Sequence, residues 1–154
     1  MTGMKDSLQN DLTAAIREQN SLVTGTLRMV LAAITNEEVS GKVARELSDQ
    51  DIITVLTREA KKRKEAATAY DEAKRADLAD KERAELEVIS GYLPEALSDD
   101  EVAKIIADAV ATVSAQGASG PSAMGQVMKI VQPAVAGRAD GGLVAGLVKA
   151  ALAN

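Results

Sequence analysis

The chain of 154 residues contains no cysteine, no histidine, no phenylalanine and no tryptophan. Without cysteine there is no disulfide, no thiolate nucleophile and no thiolate metal site. Without histidine the commonest general base and the commonest transition-metal ligand are both missing. Two tyrosines are the only aromatic side chains. A core must therefore be built from Ala, Val, Leu and Ile, which bury little area each, so many contacts replace a few large ones. No apolar run approaches the ~18 residues of a membrane span. Met1 to Asn20 is charged and amphipathic, with no apolar centre of a secretion signal. On these grounds the sequence predicts a soluble, cytoplasmic protein.

What is present points to helices. Hydrophobic residues make up 46% of the chain, enough for a core, and the length suits one domain or two small lobes. Ser7 is a plausible cap for a first helix whose face carries Leu8, Leu12, Ala15 and Ile16. After a break at Asn20 and Ser21, Leu27, Val30, Leu31 and Ile34 mark a second helix ending near Glu38. The short connection predicts an antiparallel pair. Ser48-Asp-Gln-Asp51 reads as a capping box with Asp in place of Glu. It opens a long helix to about Ala76, with Ile52, Ile53, Leu56, Ala60, Ala67 and Tyr70 along one stripe. A fourth helix starts at Asp77 or Asp80, carries Leu86, Ile89 and Leu93, and is stopped by Pro94. Ser98-Asp-Asp-Glu101 is a second capping box, followed by Val102, Ile105, Ile106, Ala109, Val110 and Val113 at helical spacing.

The last third of the chain reads as two short helices joined by a turn. Met124, Val127, Met128 and Val131 form one stripe; Leu143, Val144, Leu147, Val148 and Ala151 form the other. Pro133 should kink or close the first of these helices, Gly137 suits its C′ position and Asp140 can cap the second. Gly125 and Gly146 lie inside the helical pattern at about 1 kcal/mol each relative to Ala, which suggests close backbone approach by a helix or a partner. The expected fold is all-α: a four-helix lobe over residues 1–93 and a three-helix tail over residues 94–154, with a hinge at Tyr92-Leu-Pro-Glu-Ala-Leu97.

The net charge of -5 is spread over both parts: residues 1–93 carry 14 basic and 17 acidic side chains, residues 94–154 carry 4 and 6. That balance argues against a broad nucleic-acid surface, so any RNA contact must be local. One local feature is Arg58 to Lys64, five basic residues in seven, in which Arg58, Lys61 and Lys62 share the side away from the apolar stripe. They suit phosphate contacts, or a solvated face of ion pairs; no aromatic residue is interleaved for base stacking. Arg63 instead points towards the stripe, where it needs a partner such as Glu82, Glu85 or Glu87. In the tail, Lys129, Arg138 and Lys149 face one acid, Asp140. If they meet Gly125 at one corner, a sugar-phosphate backbone could approach the glycine while the cations hold it. The alternative is that the glycines only pack helices and Asp140 only caps one. For catalysis little is offered: the acids sit at caps and solvated faces, Ser90 and Ser122 have no arguable base, and no phosphate-binding loop or metal-ligand cluster is present. No catalytic residue, metal or cofactor is expected.

Met124-Gly-x-Val-Met-Lys129, then Gly137-Arg-Ala-Asp140, then Val148-Lys-x-x-Leu152 resembles the tail domain shared by the GatB subunit of glutamine-dependent aminoacyl-tRNA amidotransferases and the small YqeY proteins. Upstream, Arg63-Lys-Glu-Ala-Ala67, Tyr70, Arg75-Ala-Asp-Leu-Ala79, Glu82-Arg-Ala-Glu-Leu86 and Tyr92-Leu-Pro94 are similar to the YqeY pattern. The resemblance spans roughly the whole chain and rests on the order and spacing of these motifs. It implies the same two-lobed helical arrangement and, through the GatB tail, contact with tRNA. It also implies an association with carbon–nitrogen ligase chemistry using glutamine as the amide donor. GatB carries a large N-terminal catalytic region without a counterpart here, so transamidation by this chain alone is not expected. The leading expectation is a non-catalytic module that binds tRNA or a tRNA-handling complex such as an amidotransferase. Lys129, Arg138, Lys149 and Gly125 would form its site, with Arg58, Lys61 and Lys62 as a second contact. A different class remains open beside it: a protein–protein adaptor or accessory subunit that docks through a helical groove. Nothing in the pattern sets an oligomeric state.

Overall fold

The computed structural model describes residues 3–153, and among them every regular element is helical. Seven α-helices follow in order: α1 Met4–Arg17, α2 Ser21–Glu38, α3 Asp49–Glu72, α4 Ala76–Ser90, α5 Asp99–Ala115, α6 Met124–Val135 and α7 Gly141–Ala153. A single 3-10 turn, Pro121–Ala123, leads into α6. The all-α class read from the periodicity is the observed one.

Local chemistry sets many of the ends. Ser48 and Asp51 form a reciprocal capping box at the start of α3, and Ser98 and Glu101 do the same for α5. Each satisfies two backbone N–H groups that the first helical turn would leave unpaired. Asn20 caps α2 by accepting from the Val23 backbone N–H. The start of α1 differs from expectation: it begins at Met4, after Gly3, and Ser7 lies within its first turn. Two helices end on a left-handed residue that is not glycine, Gln19 (φ 58°) and Lys74 (φ 60°). At each, the two backbone bonds of a Schellman motif close the helix: Asn20 to Ala15 and Gln19 to Ile16, then Arg75 to Tyr70 and Lys74 to Asp71. This stops α3 at Glu72, short of Ala76, and lets α4 start at Ala76. Pro94 does not stop α4, which has already ended at Ser90.

The chain folds as two compact units, Met1–Leu93 and Pro94–Asn154. In the first, α1 to α4 bury Leu8, Leu27, Val30, Ile34, Ile52, Leu56 and Ile89. Ile16, placed on the α1 core face by periodicity, is 48% exposed instead. A buried charge network joins α3 to α4: Arg63 Nε donates to Glu85 Oε2 at 3.2 Å, and Arg63 Nη1 donates to the Glu59 carbonyl at 3.0 Å. The arginine that the stripe geometry turned inward thus finds a carboxylate on the next helix.

In the second unit, Val102, Ile106, Ala109 and Val113 of α5 pack with Val127, Val131 and Val135 of α6 and with Val144, Val148 and Leu152 of α7. Pro133 sits in the last turn of α6, where the helix runs two residues further. Ala136 then turns to extended backbone, Gly137 takes φ 72°, and Asp140 Oδ1 accepts from the Leu143 backbone N–H at 3.1 Å. The close approach expected at Gly125 and Gly146 is not observed, since a Cβ at either position would meet no atom within 4 Å.

Candidate functional site

The Gly137-Arg-Ala-Asp140 turn is a joint. Gly137 adopts the left-handed conformation that reverses the chain at low cost. That reversal turns the Arg138 side chain back onto the strap that precedes α5. Arg138 Nε donates to the Glu95 carbonyl at 2.9 Å, and the Arg138 carbonyl accepts from the Leu97 N–H at 2.8 Å. The guanidinium also adds to the pull on Glu101. That carboxyl is held below its ordinary value chiefly by the Ser98 backbone and side-chain hydrogen bonds, with the charge of Arg138 the smallest contribution. Arg138 is half-buried and laces residues 95–97 to the α6–α7 turn.

The other tail candidates lie elsewhere. Lys129 and Gly125 are one turn apart on α6 and both are exposed, as is Lys149 on α7. At 1.5 Å per residue, Gly125 stands about 15 Å along α6 from its last residue. It therefore does not share a corner with Arg138. Lys129 and Lys149 lie about 9 Å and about 12 Å along their helices from the turn, at comparable heights. Neither is engaged in an ion pair within the described residues, whereas Lys104 is bonded to Asp108 at 2.8 Å.

In the first unit, Arg58 Nη2 meets Glu37 Oε2 at 3.0 Å and Lys62 Nζ meets Glu59 Oε2 at 3.2 Å. Both cations line a groove of about 680 Å³ between α2 and α3, together with Met29, Asn36 and the buried Arg63. Lys61 is exposed on α3 but does not line this groove. The three residues grouped by the helical wheel are thus divided between a groove wall and the open helix surface.

Sequence reading missed a surface on the tail. Leu143 and Leu147, assigned to the α7 core stripe, are 58% and 43% exposed. Leu147 and Ala151 face Ala107 and Val110 of α5 across an apolar groove of about 430 Å³. The signal for it was present: apart from Lys149, α7 is apolar on every side, and a helix of that kind needs cover on more than one face. Among the described residues no group of three or more Asp or Glu side chains is placed to hold a metal ion.

Two compact helical units, joined at Leu93–Pro94 and capped by paired Ser–acid boxes, define a small all-α protein. The chain belongs to the YqeY family: the model of the Yqey-like protein matches residues 5–152. It is similar to Altered inheritance of mitochondria protein 41, mitochondrial, of Pyrenophora tritici-repentis, at 29% identity over 81% of this chain and 69% of that protein. The protein of the same name from Clavispora lusitaniae is 35% identical over 62% of this chain and 56% of its own length. An uncharacterized protein of Schizosaccharomyces pombe is 30% identical over 60% of this chain and 73% of its own. With the Clavispora relative and those from Candida glabrata and Kluyveromyces lactis, the match spans about half of the relative's length. These names overturn the cytoplasmic expectation, because curated relatives are named as mitochondrial proteins and so point to the mitochondrion. The expectation rested on hydropathy and on the charge of the first residues. Among the described residues no helix is long and apolar enough to cross a membrane, and that says nothing of compartment.

Proposed function

We propose that the chain is a non-catalytic binding module whose tail contacts RNA, with tRNA or a tRNA-handling complex as its target. The observation that carries this reading is that Lys129 and Lys149 stay exposed and outside any ion pair among the described residues, although four carboxylates line α5 in the same unit. An ammonium kept free in this way is available to a phosphate, and each such contact adds to affinity independently of sequence. Gly125, one turn from Lys129 with open space around its Cα, allows a sugar-phosphate backbone to lie against α6. Arg138 supports the joint and is not counted in this surface. The likeness of the tail motifs to the GatB tail favours tRNA among RNAs. Titrating the full chain with tRNA at low and physiological salt tests the reading. Binding should weaken steeply with salt, and Lys129→Glu with Lys149→Glu should abolish it while leaving helicity unchanged. Salt-independent binding, or an unaffected double variant, would remove the tail lysines from the function. A second reading, a protein–protein adaptor, is favoured by the exposed Leu143 and Leu147 beside the apolar groove between α5 and α7.

A further inference from the structure

The α5–α7 groove has a shape and an edge charge that together specify an occupant. Its floor is Ile106 and Val110. One wall is a row of methyl groups, Ala103, Ala107 and Ala111, four residues apart on α5. Such a row follows the shallow i±4 ridge of a helix, and with only alanines on it another helix can approach at the short end of the usual 8–10 Å spacing. The opposite wall is Leu147 and Ala151, again four apart, on α7. From Ala103 to Ala111 the row runs about 12 Å, a little over two helical turns. A rod of about two turns with large apolar side chains at i, i+3 or i+4, and i+7 fits these walls.

The charge at the end of the groove completes the description. Asp99 and Asp100 open α5, are exposed, and take part in no ion pair within the described residues. Asp100 stands three and seven positions before Ala103 and Ala107, in line with the alanine row. Asp99 stands seven and eleven positions before Ile106 and Val110, in line with the floor. Lys104 and Asp108, on the outer flank, neutralise each other. About one helical turn beyond Ala103, the groove is therefore followed by two carboxylates that no ion pair among the described residues neutralises. Phosphate-bearing surfaces, whether RNA or anionic lipid, are repelled from it, and a helix with a cationic end is attracted.

We propose that this groove is a docking site for a basic amphipathic helix of a partner protein, its apolar stripe seated on Ala103, Ala107 and Leu147 and its cationic end beside Asp99 and Asp100. The site stands apart from the RNA reading, because neither Lys129 nor Lys149 lines it.

The test uses two synthetic 14-residue peptides that share one leucine stripe, one with lysine and one with glutamate on the polar face. Their binding to the full chain is followed by fluorescence anisotropy. The lysine peptide should bind saturably and the glutamate peptide at least tenfold more weakly. Ala107→Gln, an exposed helix-compatible change that fills the groove, should weaken the lysine peptide tenfold or more, a loss of about 1.4 kcal/mol. Asp99→Asn with Asp100→Asn should weaken it several-fold and flatten its salt dependence. Circular dichroism checks that each variant keeps its helicity, and Leu147→Asp provides a second blocking change on the other wall. Equal affinity of the wild type and both blocking variants would overturn the proposal, as would equal binding of the two peptides. If the wild type instead self-associates in sedimentation velocity, binds neither peptide, and becomes monomeric with Ala107→Gln, the occupant is a second copy and the proposal is likewise overturned. The tRNA titration of Ala107→Gln should match the wild type, so the two functional readings fail separately.

Discussion

Replacing Arg63 by methionine gives the sharpest test of how α3 and α4 are held together. The guanidinium is enclosed: its side chain is 8% exposed, and those of Glu59 and Glu85 are 10% and 9% exposed. Nε bonds Glu85 at 3.2 Å, Nη1 bonds the Glu59 carbonyl and lies 3.5 Å from Glu59 Oε2, and Nη2 faces Met29 Sδ at 3.6 Å. Methionine keeps most of the apolar stem and removes the charge, so lost packing is a small part of the effect. Two buried carboxylates are then left without the cation they share. Breaking a buried pair from one side costs about 3–5 kcal/mol. Lys62 remains 3.2 Å from Glu59 and offsets part of this, so the loss belongs at the lower end, about 3 kcal/mol.

The assay follows from where the aromatics are. Both tyrosines, Tyr70 and Tyr92, lie in the Met1–Leu93 unit, so tyrosine fluorescence during urea unfolding reads that unit alone, while far-ultraviolet circular dichroism reads both. With a urea slope of about 1 kcal/mol per molar for a unit of this size, Arg63→Met should lower the fluorescence midpoint by about 3 M. Replacing the whole network, Arg63→Met with Glu59→Gln and Glu85→Gln, should recover most of the loss, because no buried charge is then orphaned. A midpoint shift below about 0.5 M for the single variant would refute the reasoning. So would a triple variant no more stable than the single one.

Tyr92 is held protonated well above the ordinary tyrosine value of 10.0, first by burial and then by its hydrogen bond to Asp11 Oδ2 at 2.5 Å. Its contribution to stability is present below pH 10 and is lost as pH rises through the raised folded value; Asp11→Asn should bring the 295 nm titration of this residue to lower pH. Ser98→Ala should destabilise the tail by about 1 kcal/mol, seen in the dichroism transition and not in tyrosine fluorescence. Glu101 is depressed below 4.5 by the same cap, so the stability it contributes is present above pH 4.5 and lost as pH falls through the lower folded value. Ser98→Ala should flatten that acid limb. Lys74→Gly should raise the fluorescence midpoint, since a left-handed non-glycine residue costs about 1 kcal/mol; an unchanged or lowered midpoint would mean that the Lys74 side chain stabilises the turn by as much.

The features legible in the sequence are those whose partners lie within one or two helical turns. Ser48 with Asp51 and Ser98 with Glu101 are three residues apart, and Asp140 caps through the N–H of Leu143. Stripe geometry alone also turned Arg63 inward, which left few carboxylates on the next helix to receive it. The break after α1 was legible in Asn20, which caps α2, but the end of α3 was not: Lys74 carries no preference for the left-handed region, so the chain turns where no punctuating residue stands. The role of Arg138 was hidden for another reason: its acceptor is a backbone carbonyl 43 residues earlier, and a carbonyl leaves no trace in residue identity. The basic run Arg58 to Lys64 reads as one patch in sequence, but a helix distributes it, placing Arg63 in the interior and Arg58 and Lys62 on a groove wall.

The same distribution changes what the charge of the tail means. Summed over residues 94–154 it is mildly acidic, which argues against RNA if the charge is treated as uniform. Four of its six acids, Asp99, Asp100, Glu101 and Asp108, stand on α5 alone, while Lys129 and Lys149 stand on α6 and α7. Of those four, Glu101 is occupied by its cap and Asp108 by Lys104, which leaves Asp99 and Asp100 in the first turn of α5, about one turn before Ala103, the first α5 residue to line the apolar groove. Among the described residues, the carboxylates of Asp99 and Asp100 and the ammonium groups of Lys129 and Lys149 therefore belong to different helices. With a screening length of about 8 Å at physiological salt, two partners of opposite charge can each be attracted locally, on a unit whose summed charge would attract the cationic one and repel the other.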